Sequence, residues 1–235
     1  MSHAVSDPTR RAPGQHVRAS SQRLRLRTLV VLGAIAIASA AAARALGLQD
    51  TIFLAVELVL AFALLGVAHY AIPLVHRRDL GAVGEEYVGS VLTALDERWS
   101  VIHDAAIGAG NIDHIVIGPG GVFAVETKAR GGNVRVRDVH GATVYQARAH
   151  RRALEEIAGC PAEPLLVFSR AWVDRPLARR GGVRVLPARM LVAHLRTRPT
   201  VLEPADVQRV RRLIEDGVRA HASARQAARS VTRWR

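Results

Sequence analysis

The chain has 235 residues, room for one domain of ordinary size plus an additional segment. A formal net charge of +13 and a sequence pI near 11.5 favour polyanionic partners, either nucleic acid or the anionic face of a membrane. The single cysteine, Cys160, excludes an internal disulfide and suits a reducing compartment, and the absence of HExxH, Cys/His spacing and GxxxxGK[ST] leaves a zinc hydrolase or a P-loop ATPase without a motif.

Residues 1–27 are polar and rich in arginine, with Arg10, Arg11, Arg18, Arg23, Arg25 and Arg27 opposed only by Asp7. Such composition predicts a disordered tail. Two apolar runs follow, 28–48 and 51–75, each approaching the roughly 20 residues that cross a ~30 Å hydrocarbon core. They predict a two-helix transmembrane hairpin over 28–76. Arginines before the first run and His76-Arg77-Arg78 after the second place both ends on the cytoplasmic side of the cell membrane, as a multi-pass protein. Glu57 is the one formal charge in the second run, near enough to its outer end to reach water.

From residue 79 the pattern changes to that of an α/β domain, expected over 79–200. Gly84–Leu95 reads as an amphipathic helix with Val88, Val91, Leu92 and Leu95 on one face. At about 100° per residue Glu85 falls beside that face and Glu86 points away. Trp99–His103 reads as a first strand, followed by a loop over 105–110.

The next stretch is IDHIVIGPGGVFAVETK, residues 112–128. Two β-branched runs, Ile112–Ile117 and Val122–Lys128, flank Gly118-Pro119-Gly120-Gly121, which predicts a β-hairpin. If Ile117 faces Val122, counting outward sets Asp113 opposite Glu126, with Cβ atoms about 4.5–5.5 Å apart. Lys128 follows on the same face. Two facing carboxylates destabilise a bare strand pair and call for a cation, and an oxygen-only pair suits Mg²⁺. Of the 33 Lys and Arg residues 32 are Arg, so Lys128 is the only lysine in the chain. A compact ammonium on a flexible stem suits a place beside a metal-bound water better than a planar guanidinium.

Beyond the hairpin, Val134–Val136 reads as a short strand and Val144–Ala158 as a helix with Gln146, Arg148 and Arg152 on a side able to face a phosphate backbone. Pro164–Ser169 and Val183–Leu186 read as buried strands and Ala188–Leu195 as a helix. Pro204 opens a last, basic helix over 201–235, only partly amphipathic and expected to be largely solvated. Helices between strands imply a mixed α/β sandwich.

Asp-x12-Glu-x-Lys on a hairpin resembles the signature of the PD-(D/E)XK nuclease superfamily. GAVGEEYVGSVL, then GNIDHIVIGPGGVFAVETKARGG, then Gln146, resembles more narrowly the nuclease-related domain (NERD) family. The resemblance implies a nuclease-like mixed sheet flanked by helices. It implies a divalent-metal-dependent nuclease acting on the phosphodiester bonds of nucleic acid, DNA first, with Mg²⁺ as cofactor and Mn²⁺ as a substitute. It assigns Glu85, Asp113, Glu126, Lys128 and Gln146 to the active centre, and Glu85, Asp113, Glu126 and the Thr127 carbonyl to the metal. The alternative is a catalytically silent nucleic-acid or protein docking module tethered to the membrane.

Overall fold

Runs of β-branched residues between positions 100 and 134 pair into three consecutive antiparallel strands, and everything that positions the acidic residues is built on them. In the computed structural model of the protein, residues 79–108 and 110–232 are described, together with scattered positions between 30 and 69. Residues 81–232 lie in one compact unit, and 16–80 form another whose described positions are helical.

In chain order, from residue 79 onward, a helix over residues 79–92 (α1) is followed by strands Ser100–Ile107 (β1), Gly110–Gly118 (β2) and Gly121–Val134 (β3). Helix Gly141–Ala158 (α2) follows, then strand Ala162–Val173 (β4), the short Arg179–Arg180 (β5) and Val183–Pro187 (β6). Helices Leu191–Arg196 (α3) and Pro204–Thr232 (α4) complete it. The strands form one sheet in the order β1-β2-β3-β4-β6-β5. Pairing is antiparallel from β1 to β3, parallel from β3 through β4 to β6, and antiparallel again at β5.

Side chains alternate across this sheet and build a core on each face. Ile115, Ile117, Val122 and Ala124 pack with Leu154 of α2 and with Val207, Val210, Ile214 and Val218 of α4. Val116, Phe123, Val125, Leu165 and Val167 point the other way, against Val88 and Leu92 of α1 and Leu191 and Leu195 of α3. The mixed α/β sheet flanked by helices is therefore present. Local signals fix the ends of α2: the His140 side chain accepts from the Ala142 amide at 3.3 Å, and Gly159 closes the helix at φ 65°, a left-handed conformation that glycine takes without a Cβ clash.

The hairpin register is as counted, Ile117 facing Val122 and His114 facing Val125, with Pro119-Gly120 as a two-residue turn between Gly118 and Gly121. Several boundaries differ. Residues 105–107, expected in a loop, continue β1, because Ala105, Ala106 and Ile107 pair with Ile112, Asn111 and Gly110 and are buried. Val134 belongs to β3 rather than to a separate strand; a register shift between Lys128 and Gly131 lets the strand bend without ending. The last helix is not a solvated appendage, since four of its residues sit in the core.

The transmembrane expectation is corrected. Among the described residues no helix is long and apolar enough to cross a membrane. An apolar run is necessary for a span but not sufficient, because spanning needs a continuous apolar helix of about 20 residues. Multi-pass localisation in the cell membrane therefore has no support here; most of 28–48 and 51–75, with Glu57 and the 1–27 tail, lies outside the described residues.

Candidate active site

Parity along the hairpin decides which side chains meet. Asp113 shares a face with Ile115 and Ile117, and Glu126 and Lys128 share one with Val122 and Ala124, so all three point to the side covered by α2. The Asp113 carboxylate Oδ2 accepts from the Thr127 amide at 2.6 Å. Thr127 thus meets Asp113 through its backbone N–H. Lys128 Nζ donates to Glu126 Oε1 at 2.6 Å and to Gln146 Oε1 at 3.4 Å.

Gln146 is delivered by the second turn of α2, and one turn later His150 sets its Nδ1 3.1 Å from Glu126 Oε2. That distance suits an ion pair, but the atoms are not aligned as a hydrogen bond, and among the described residues Oε2 has no other donor. Arg148 and Arg152 share a different side of α2, about 200° round from Gln146, and both are exposed. The expectation of a single Gln146–Arg148–Arg152 face is therefore corrected by helix geometry.

Glu85 comes from α1. Its carboxyl is pushed up to about 7, first by burial, then by the charges of Asp104 and Glu126, against the pull of Lys128. Asp113 is raised well above the usual carboxylate range by burial and by Glu126 and Glu85, with the Thr127 amide opposing. Burial also works to raise Glu126, but His150 and Lys128 outweigh it and hold this carboxyl below its usual value. The result is a graded set: one carboxyl lowered by two basic neighbours, and two raised by burial and repulsion.

The other face of β2 carries His114, fully buried as alternation requires for a residue next to Asp113. Its Nδ1 lies 2.8 Å from His103 Nδ1, so one ring donates and the other accepts. Burial, reinforced by His103, pushes His114 down to about 3, against a contact with the Glu85 main chain. This uncharged ring lies against the main chain of α1 at Glu85.

Two members of the site are not evident from the sequence. Asp104 is buried and adopts φ 50°, a conformation uncommon for residues other than glycine, and Asn111 Nδ2 donates to its Oδ1 at 2.7 Å. Nothing in the local sequence signals that bend. His150 is different, for it follows Gln146 by four residues on a predicted helix, the spacing that stacks side chains on one face.

Oxygen donors are what this pocket offers a cation, yet no group of three His, Cys, Asp or Glu side chains among the described residues already stands as a cage. Lys128 covers one Glu126 oxygen and the Thr127 amide one Asp113 oxygen.

The stretch holding Glu85, Asp113, Glu126 and Lys128 coincides with the match to a family model described as nuclease-related domain, at residues 80–169. Over these residues the chain is similar to a nuclease-related domain. No curated protein matches the chain. Among solved structures it is similar to a repair endonuclease from Pyrococcus abyssi, at 19% identity over 49% of this chain and 42% of that one, with a TM-score of 0.26. It is also similar to Pyrococcus furiosus SfsA, solved in complex with Ca²⁺, at 19% identity over 57% and 53% of the two chains, with a TM-score of 0.25. The chain thus spans about half the length of either. The match ends at residue 169, so Gln146 and His150 lie within it, while α3 and α4 lie beyond.

Proposed function

We propose that the nuclease-related domain hydrolyses phosphodiester bonds of nucleic acid, DNA first, with a divalent cation held by Asp113 and Glu126 and completed by Glu85 and the Thr127 carbonyl. The observation that carries this reading is the convergence of three mutually repelling carboxyls with the chain's only lysine, 2.6 Å from one of them. The donors fit a hard cation. All are oxygens, Glu126 Oε2 is buried without an aligned donor, and a divalent charge would offset the burial and repulsion that raise Glu85 and Asp113. Mg²⁺, with Mn²⁺ in its place, would supply Lewis acidity and an activated water.

The chain's own groups cover the remaining needs. Lys128 positions the attacking water and counters negative charge as it develops on the phosphoryl oxygens. Gln146, within reach of the ammonium, orients that water or a phosphate oxygen. Glu85, near 7, is suited to hold or release a proton at neutral pH.

The test is cleavage of duplex DNA, single-stranded DNA and RNA by the full chain in Mg²⁺, Mn²⁺ or EDTA. Metal-dependent cleavage is expected, with loss of about 10²–10³-fold in Lys128→Ala. Lys128→Arg should not restore it, because a planar fork cannot replace a point charge. Cleavage that persists in both Asp113→Asn and Glu126→Gln would remove the site. Binding without turnover in either metal, unchanged by Lys128→Ala, would instead make this a docking module.

A further inference from the structure

The acidic pocket can hold a phosphate but offers nothing to a base. A surface for one lies beside it. The parallel strands β3, β4 and β6 share a row in which Lys128 pairs with Phe168 and Phe168 with Pro187. Neighbouring strands are about 4.8 Å apart, so Phe168 and Pro187 stand roughly one and two strand spacings from Lys128. Over them opens a groove of about 200 Å³, on the scale of one nucleotide, whose walls include Tyr87, Trp172, Arg170 and Arg189.

Aromatic residues make up only 4% of this chain, and two of them, Tyr87 and Trp172, 46% and 53% exposed, stand in this one groove, whereas Tyr145 of α2, 73% exposed, stands outside it. Tyr87 stands on α1 two residues, about 200° round the helix, from Glu85. Trp172 stands on the part of β4 that pairs with Asn133, beyond the shift in β3. Arg170 and Arg189 are exposed, and among the described residues neither has an ion-pair partner.

We infer that this groove binds the base of a nucleotide adjacent to the scissile phosphodiester in an unpaired strand, which Tyr87 and Trp172 stack while Arg170 and Arg189 hold the flanking phosphates. The inference rests on the nuclease reading for the identity of the polymer, and it adds the substrate class. A paired base has both faces covered by its neighbours, whereas aromatic faces of this kind take bases that are unstacked. The two unpaired guanidinium groups and the net charge of +13 favour a polyanion over an apolar peptide or lipid tail.

The test uses the full chain in EDTA, so that binding is read without hydrolysis. The probe is a twelve-residue oligothymidylate carrying one 2-aminopurine, compared with the same strand in a blunt duplex. Tighter binding of the single strand is expected, with quenching of the probe. Trp172→Ala should weaken it about 5- to 150-fold, from the stacking contribution per base, and Trp172→Phe should recover most of that. Joint replacement of Arg170 and Arg189 by Ala should lower the slope of log affinity against log salt by about 1.4, the change for two phosphates on a single strand. Equal affinity for the duplex, or single-strand affinity within twofold of wild type in Trp172→Ala, would overturn the groove. The two readings fail separately. A protein that stacks the probe but never cuts loses the catalytic proposal and keeps the groove; one that cuts, with Trp172→Ala binding unchanged, loses the groove alone.

Discussion

Glu85 is the side chain whose state most depends on what else occupies the pocket. In the folded protein its pKa lies near 7 against a usual 4.5, because burial and the charges of Asp104 and Glu126 disfavour its ionised form. A carboxyl raised on folding gives stability that is fully present below the unfolded value and is lost as pH rises through the folded one. The cost by pH 8 is about 3 kcal/mol for this group, an order of magnitude set by ~1.4 kcal/mol per unit. Asp113 acts in the same sense and Glu126 in the opposite one. Metal-free protein should therefore unfold at lower denaturant at pH 8 than at pH 5, and Glu85→Gln should flatten the difference by raising the pH 8 midpoint. Mg²⁺ should raise the thermal midpoint at pH 8 in wild type and much less in Asp113→Asn. Parallel pH profiles for wild type and Glu85→Gln would show that Glu85 does not carry the strain assigned to it.

At the scale of elements, what could be read in advance was whatever the chain encodes locally. The hairpin was legible because β-branched alternation and Gly-Pro punctuation act over neighbouring residues, and its register carried Glu126 and Lys128 to the right face. The extent of β3 was not, since only pairing with β4 shows that Gly131 to Val134 continue the strand after a shift. Nor was Asp104, whose positive φ within β1 has no signature in the residues around it. The same distinction governs Gly84 in α1. In an isolated helix alanine would gain about 1 kcal/mol over glycine. Here a Cβ at position 84 would meet Ala129 Cβ at 2.7 Å, Ser169 Oγ at 2.9 Å and the Ala129 backbone at 3.2 Å. The backbone of β3 cannot yield as a side-chain tip can, so packing outweighs propensity. Gly84→Ala should destabilise by about 1–3 kcal/mol. It should also lower cleavage by lifting Glu85 away from the sheet. A rise in the melting temperature would mean that α1 is not pressed against β3 as described.

At the scale of the whole molecule, α4 joins the last residues of the chain to the acidic site, and its two halves do so differently. Val207, Val210, Ile214 and Val218 are buried against β1, β2 and α2. At about 1.5–3 kcal/mol per fully buried side chain they contribute about 6–12 kcal/mol of transfer free energy, comparable with the 5–15 kcal/mol that separates folded from unfolded domains. A chain ending at residue 203 should therefore not fold. Farther along, Arg225 donates to the Gly108 carbonyl at 3.0 Å, to the Gly110 carbonyl at 3.3 Å and to Asn111 Oδ1 at 3.4 Å. Asn111 in turn holds Asp104, and Gly110 lies against His150. A chain ending at residue 222 keeps the four core residues but loses this clasp. It should stay folded by circular dichroism while amides around 110–111 exchange about tenfold faster or more, the loss expected when charged hydrogen bonds of about 1.5 kcal/mol or more are removed. Cleavage should fall with it, and Arg225→Ala should reproduce both effects. Unchanged exchange at 110–111 in the shortened chain would show that the far end of α4 has no hold on the site, whatever the fate of its activity.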